Sequence, residues 1–166
     1  MNTNTHPIIE KIHARQILDS RGFPTIEVEI CASGVIGRAA VPSGASTGEF
    51  EALELRDIEK NRFHGKEVST AINNVINVFQ PQLINRRSDD QEAIDALLIE
   101  IDGTENKSKY GANAMLGISM ACAVVSANFY NQPLYVYLNK DSTIMPIPMI
   151  NVLNGGMHAI RGSDIQ

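Results

Sequence analysis

In the stretch PTIEVEICASGVIGRAAVP, Ile26, Val28 and Ile30 alternate with Glu27, Glu29 and Cys31. A period of two puts successive side chains on opposite faces, so this segment has to be a strand with one buried face and one wet one. The residues Ala32, Ser33 and Gly34 supply a tight turn, and Val35 to Val41 return as the next strand. Upstream, KIHARQILDSRG forms a third strand, ended by the turn chemistry of Asp19, Ser20, Gly22 and Pro24. The economical assembly is a three-stranded antiparallel meander.

The period then changes to that of a helix. Val68, Ile72, Val75, Ile76 and Phe79 make one apolar stripe, which Pro81 is expected to stop. Ser88 with Gln91 three residues on reads as a capping box, and the acidic pair Asp89 and Asp90 suits a helix N-terminal dipole. Ile94, Leu97, Leu98 and Ile101 continue that helix, with Gly103 placed for a left-handed C-cap. The run DGTENKSKYG, residues 102 to 111, reads as a polar loop without a function of its own. From about Gly111 to Asn128 a long helix of Ala, Gly and Ser permits close packing, and Pro133 precedes the short helix LYVYLN. The fold class predicted is α+β, a meander followed by a helical bundle.

Ile144 to Leu153 breaks with this pattern, being almost continuously apolar after the polar linker NKDST. A run of that kind suits a strand buried on both faces of a parallel sheet, with its prolines at the strand's start. It leads into Asn154, Gly155, Gly156 and His158, and polar residues at the carboxyl end of such a strand are where α/β barrels keep their chemistry. The chain therefore suits one domain, or one domain with the beginning of another.

Composition narrows the class. With 166 residues, 43% of them apolar and 20% charged, the chain matches a soluble globular domain long enough to bury a real core. A net charge of −5 and a pI near 5.3 argue against a nucleic-acid partner, which would call for a basic face. The N-terminus has no apolar core of a secretory signal, and Ala114 to Ala127 is too short and interrupted to span a bilayer, so no membrane partner is expected. Cys31 and Cys122 have no CxxC partner and read as buried free thiols of a cytoplasmic protein.

Two glycine-bearing loops carry what chemistry there is. In PSGASTGE the glycines would let backbone amides approach an anion, and hydroxyl or carbonyl oxygens could ligate Mg2+; a plain connecting loop has the same composition. The spacing is not that of a P-loop, since no lysine follows the second glycine. His158, after a Gly-Gly pair, is open to acid–base or anion-contacting work, or to being an exposed loop histidine. Asp19 and Arg21 in DSRG read as a structural turn with a paired charge.

Four stretches taken together, ARQILDSRGFPTIEVEI, GRAAVPSGASTGEFEALELRD, DGTENKSKYGANAMLGIS and PIPMINVLNGGMHA…DIQ, resemble the N-terminal half of the enolases (phosphopyruvate hydratases). They come in the family's order and spacing from about residue 9 onward, and are most similar to bacterial enolases. The resemblance implies a β3α4 domain over residues 1–142 and, over 143–166, the first strand and following loop of a β/α barrel whose rest is absent, in a glycolytic lyase that dehydrates 2-phosphoglycerate to phosphoenolpyruvate with two Mg2+ ions. It further implies that Ser43, Gly44, Ala45, Ser46 and Thr47 form a loop that closes over substrate, with Ser46 a metal ligand and Ala45 at the substrate. His158 would approach the substrate phosphate and Gln166 would line the pocket. Arg15 and Glu27 match positions at the family's dimer interface, which implies a homo-oligomer or association with a full-length enolase.

The sequence departs from the family's pattern at Phe23, where a turn asparagine is usual, and at Ile160 and Arg161 in HAIRGSDIQ. In the family a catalytic glutamate follows the residue matching Gln166. The lysine base, the carboxylates of the first metal site and the phosphate-binding arginine lie beyond it. The expectation for these 166 residues alone is no enolase turnover and weak or absent Mg2+ binding. The alternative reading is a non-catalytic, truncated enolase-like association module, although such a module has no reason to keep Ser46 and His158. For 144–153 the expectation is that the apolar run packs on the first domain, pairs with another copy, or is disordered.

Overall fold

The computed structural model describes residues 5–44, 47–58, 62–141, 143–150 and 152. Its sheet is the predicted meander: β1 (Ile9–Leu18), β2 (Pro24–Ala32) and β3 (Val35–Ala40), antiparallel throughout and in that order. Register follows the hydrophobic pattern. Ile26, Val28 and Ile30 are fully buried and pair with Gln16, Ala14 and Ile12 of β1. The β2–β3 hairpin closes through Ser33 and Gly34, both at positive φ (47° and 78°), which is the conformation a two-residue turn between twisted strands demands.

Helices cover one face of the sheet. After a left-handed turn at Phe63–Gly65, a continuous helical stretch is built from α1 (Ser69–Asn74), a π-helical turn (Val75–Phe79) and α2 (Gln80–Leu83). Then come α3 (Gln91–Asp102), α4 (Ala112–Phe129) and α5 (Leu134–Leu138). The α4 helix is the core element. Gly117, Ile118, Ala121, Cys122 and Val125 are among its buried residues, so a length and hydropathy that would also suit a bilayer are accounted for by packing on the sheet. Burial pushes the Cys122 thiol up to about 12, and both cysteines are free, although Cys31 is only half-buried on the outer sheet face.

Two expectations about helix ends need correction. Pro81 does not stop its helix, which runs on to Leu83. The π turn immediately before it widens the backbone, so proline's missing N–H and its ring are accommodated without a break. Nor do Ser88 and Gln91 form a capping box. The N-cap of α3 is Asp90, whose carboxylate accepts from Ala93 N at 3.3 Å. Ser88 lies outside that turn, buried, with its hydroxyl 2.9 Å from that of Ser126, while Gln91 turns to Asp95 and Ser119. Gly103 does take the left-handed cap, at φ 67°.

Asp89 has a different task from the helix dipole. It accepts from Arg87 Nε at 3.0 Å and from the Tyr130 hydroxyl at 2.6 Å, and lies 3.0 Å from His6 Nδ1, tying the N-terminal segment to α4. Burial by itself would raise its pKa, but these partners pull it down to about 2. A carboxylate so depressed stabilises the fold fully above its unfolded pKa of about 3.9 and loses that contribution as pH falls toward 2. D89N is expected to cost about 1–2 kcal/mol at pH 7, after discount for solvent screening, and about half of that at pH 3. Urea unfolding at both pH values measures it; an equal loss at both would refute the assignment.

The apolar run that follows forms no strand in its described part, residues 143–150 and 152. Ile144, Ile147, Met149 and Val152 are almost fully exposed rather than packed on the first domain. A strand of this type owes its stability to neighbours on both edges and cover on both faces, and no described residue provides either.

Candidate functional site

The described part of the first glycine loop opens onto a cleft of about 450 Å³ at one end of the sheet. Three segments wall it: the β1–β2 turn with Arg21 and Phe23, the chain leaving β3 through Ser43 and Gly44 to Arg56, and Lys66. The turn is set by Asp19, whose Oδ1 accepts from the amides of Arg21 (2.9 Å) and Phe23 (2.8 Å). Those backbone bonds, that of Phe23 first, hold the Asp19 carboxyl below the usual carboxylate range. Its Oδ2 accepts from Arg21 Nε and Nη2 at 3.2 and 3.1 Å, confirming the paired-charge turn expected from DSRG.

Arg21 then reaches across the cleft. Its Nη2 donates to the Ser43 carbonyl at 3.1 Å and, with Nη1, to the Gly44 carbonyl at 3.3 and 3.4 Å. Arg56 fixes the same place from the other side, giving Nη2 to the Ser43 hydroxyl (3.0 Å) and to Glu54 Oε1 (2.7 Å). Its Nη1 donates to the carbonyls of Pro24 and Lys66. Glu54 Oε2 accepts from the Ser43 hydroxyl at 3.1 Å, and Glu51 Oε2 accepts from the Gly48 amide at 2.9 Å on the loop's far side. Phe23, where the family pattern has asparagine, lies under the Lys66 ammonium, 3.6 Å from its ring centroid. Phe23 thus lines the cleft wall while its amide keeps the Asp19 turn closed.

The far wall rests on the polar loop before α4. Leu53 N donates to the Asn106 carbonyl and Ala112 N to the Leu53 carbonyl, both at 2.8 Å. Asn113, buried, exchanges side-chain bonds with both backbone groups of Leu55. The loop itself is organised by Asp102, which takes the amides of Thr104 and Tyr110 at 3.1 and 2.8 Å together with the Thr104 hydroxyl.

Of the residues singled out in the sequence, Ala45, Ser46, His158 and Gln166 lie outside the described residues, and Gly44 and Thr47, which flank the first two, line the cleft. Arg15 and Glu27 are brought together on the outer sheet face, where Arg15 Nε donates to Glu27 Oε1 at 2.6 Å and Nη2 to Glu29 at 3.2 Å. Arg21, Arg56 and Lys66 were not singled out for the cleft. For Arg56 the spacing in LEL-R offered a signal, since Glu54 and Arg56 share one side of an extended segment.

A Mg2+ ion is not what these described groups fit. Glu54 is neutralised by Arg56, the Ser43 hydroxyl is already bonded on both sides, and three cationic side chains face the space. No group of three metal-ligating side chains comes together among the described residues. Ser46, the metal position the resemblance gives, is not among them, so no step is derived through the metal.

A small α+β domain in which, among the described residues, a meander and four helical stretches present a loop-walled cleft is the class this architecture defines. The family model described as "Enolase, N-terminal domain" matches residues 9–138, which takes in the sheet, the cleft and the helices found among the described residues. The chain belongs to the enolase family through this domain.

Proposed function

We propose that residues 1–142 serve as the loop-bearing N-terminal domain of a bacterial-type enolase, a cytoplasmic glycolytic lyase, and that 143–166 open its β/α barrel. The substrate would be 2-phosphoglycerate and the product phosphoenolpyruvate. The observation that supports this is the cleft itself: the stem of the 43–48 loop is held by two guanidinium groups at the edge of a family-matched domain. Fixing a loop's root while its apex covers substrate is how a lid contributes to orientation and water exclusion. Ser46 would contribute a hydroxyl or carbonyl oxygen to Mg2+, Ala45 and Gln166 would line the substrate, and His158 would meet its phosphate. When bound, the metal supplies positive charge beside the ene-diolate, as is general for the enolase superfamily. Two free thiols support the cytoplasmic setting.

Assayed alone, the 166 residues are expected to give no phosphoenolpyruvate, with Mg2+ bound weakly or not at all. Fused through residue 142 to the barrel of an enolase, in place of that enzyme's own N-terminal domain, they are expected to support turnover. Absorbance of phosphoenolpyruvate reads both. A folded fusion without turnover would overturn the lid reading, and turnover by the 166 residues free of contaminating enolase would overturn the division of labour. The association-module alternative has less support, because Nε and Nη2 of Arg15 already bond Glu27 and Glu29 of its own chain.

A further inference from the structure

We propose that Arg21 is a positioning residue for the Ser43–Gly44 stem: aimed by Asp19, its guanidinium latches the two stem carbonyls and so sets where the loop leaves the sheet. This rests on the lid reading for its purpose, but not for its geometry.

The latch is a chain of directed bonds. The amides of Arg21 and Phe23 fix Asp19 Oδ1, Asp19 Oδ2 fixes Nε and Nη2 of Arg21, and the outer N–H groups reach Ser43 O and Gly44 O, 22 and 23 residues away in sequence. A planar fork is needed for this, because one group must satisfy a carboxylate on one side and two successive carbonyls on the other. Ser43 cannot swing aside as a whole, since Arg56 and Glu54 hold its hydroxyl. With hydroxyl and carbonyl held from opposite sides, the stem's direction is determined, and Arg21 is the half of that arrangement that comes from the β1–β2 turn.

Substitution at Arg21 leaves the turn intact, because the two amides that Asp19 Oδ1 accepts are backbone groups. The role can therefore be separated from simple turn stability. In the 166-residue chain, NMR of the wild type is expected to show an Arg21 guanidinium with slowed Nη rotation. Ser43 and Gly44 amide order parameters should lie near about 0.85, the value for rigid backbone. R21Q is expected to drop those two toward about 0.6 while the β2 amides keep theirs. R21K, which keeps the charge but bridges less, is expected to fall between. Wild-type order at Ser43 and Gly44 in R21Q overturns the proposal; if R21Q fails to fold, wild-type order in R21K overturns it equally. None of these measurements needs turnover. A negative result removes the Arg21 role and leaves the lid reading, whereas an inactive fusion with ordered Ser43 and Gly44 removes the lid reading alone.

Discussion

Gly37→Val is expected to remove most of the chain's stability against unfolding at room temperature. A Cβ added at Gly37 would lie 2.5 Å from the Cα and 2.7 Å from the Cβ of Val125, and closer still to its amide nitrogen. These are atoms of the α4 backbone and its root, not the far end of a flexible side chain, so relief requires moving the helix off β3. A second contact resists that movement. At Gly117 an added Cβ would meet Val28 Cγ2 at 2.7 Å, so α4 also lies hard against a β2 side chain. The helix is thus seated on the sheet at two glycines. Overpacking a core ordinarily costs about 1–3 kcal/mol, and displacing a backbone should exceed the upper end. Against a total stability of about 5–15 kcal/mol, adding two branch methyls to that Cβ takes most of the margin. Circular dichroism melting of the variant checks it; a melting temperature within about 2 °C of wild type would contradict the prediction, since about 1 kcal/mol already moves a domain of this size further than that. G37A should fall between the two.

This packing was legible in outline. The many small residues from Gly111 to Asn128 announced a helix made for close approach, and the period-two alternation of Ile26, Val28 and Ile30 named the face it would approach. Both signals are local and repeated, which is why the meander and the long helices follow directly from the residues. The misreadings fall where a single residue was asked to decide. Pro81 breaks a regular α-helix, but a π turn at Val75–Phe79 removes the clash, and nothing in the residue types there signals it. Ser88 has a capping residue's chemistry but is called inward by Ser126, 38 positions away. The cleft was legible only as a family likeness. Its key bonds, from Arg21 to Ser43 and Gly44 and from Arg56 to Ser43, join residues brought side by side by the sheet, so no spacing in the sequence displays them. The apolar run from Ile144 shows the opposite failure: its pattern states what burial a strand would need, while among the described residues nothing covers it.

Asp102→Ala is expected to cost about 2–4 kcal/mol, because it strands the Thr104 amide and hydroxyl and the Tyr110 amide at a place where Asp102 is 1% exposed. The effect should travel beyond the loop. Residues 103 to 111 present Asn106 to the Leu53 amide, and the following turn presents Ala112 and Asn113 to the backbone of Leu53 and Leu55, so the 51–56 wall of the cleft stands on this carboxylate. A loop read from sequence as polar filler is thus a foundation of the site. Burial would raise the Asp102 pKa, but the Thr104 hydroxyl and the amides of Tyr110 and Thr104 outweigh it and hold it below the usual carboxylate value. The sign follows: its contribution is complete above the unfolded pKa of about 3.9 and is lost as pH falls through the lower folded value. The gap between wild type and D102A in urea unfolding should therefore be wide at pH 7 and narrow in acid. Hydrogen exchange at the Leu53 amide should accelerate in D102A while β2 amides, exchanging by global opening, change only by the loss in overall stability. A variant that loses less than about 1 kcal/mol at pH 7, or one whose Leu53 amide stays protected to the same extent as β2, would show that the wall is held by Asn113 alone.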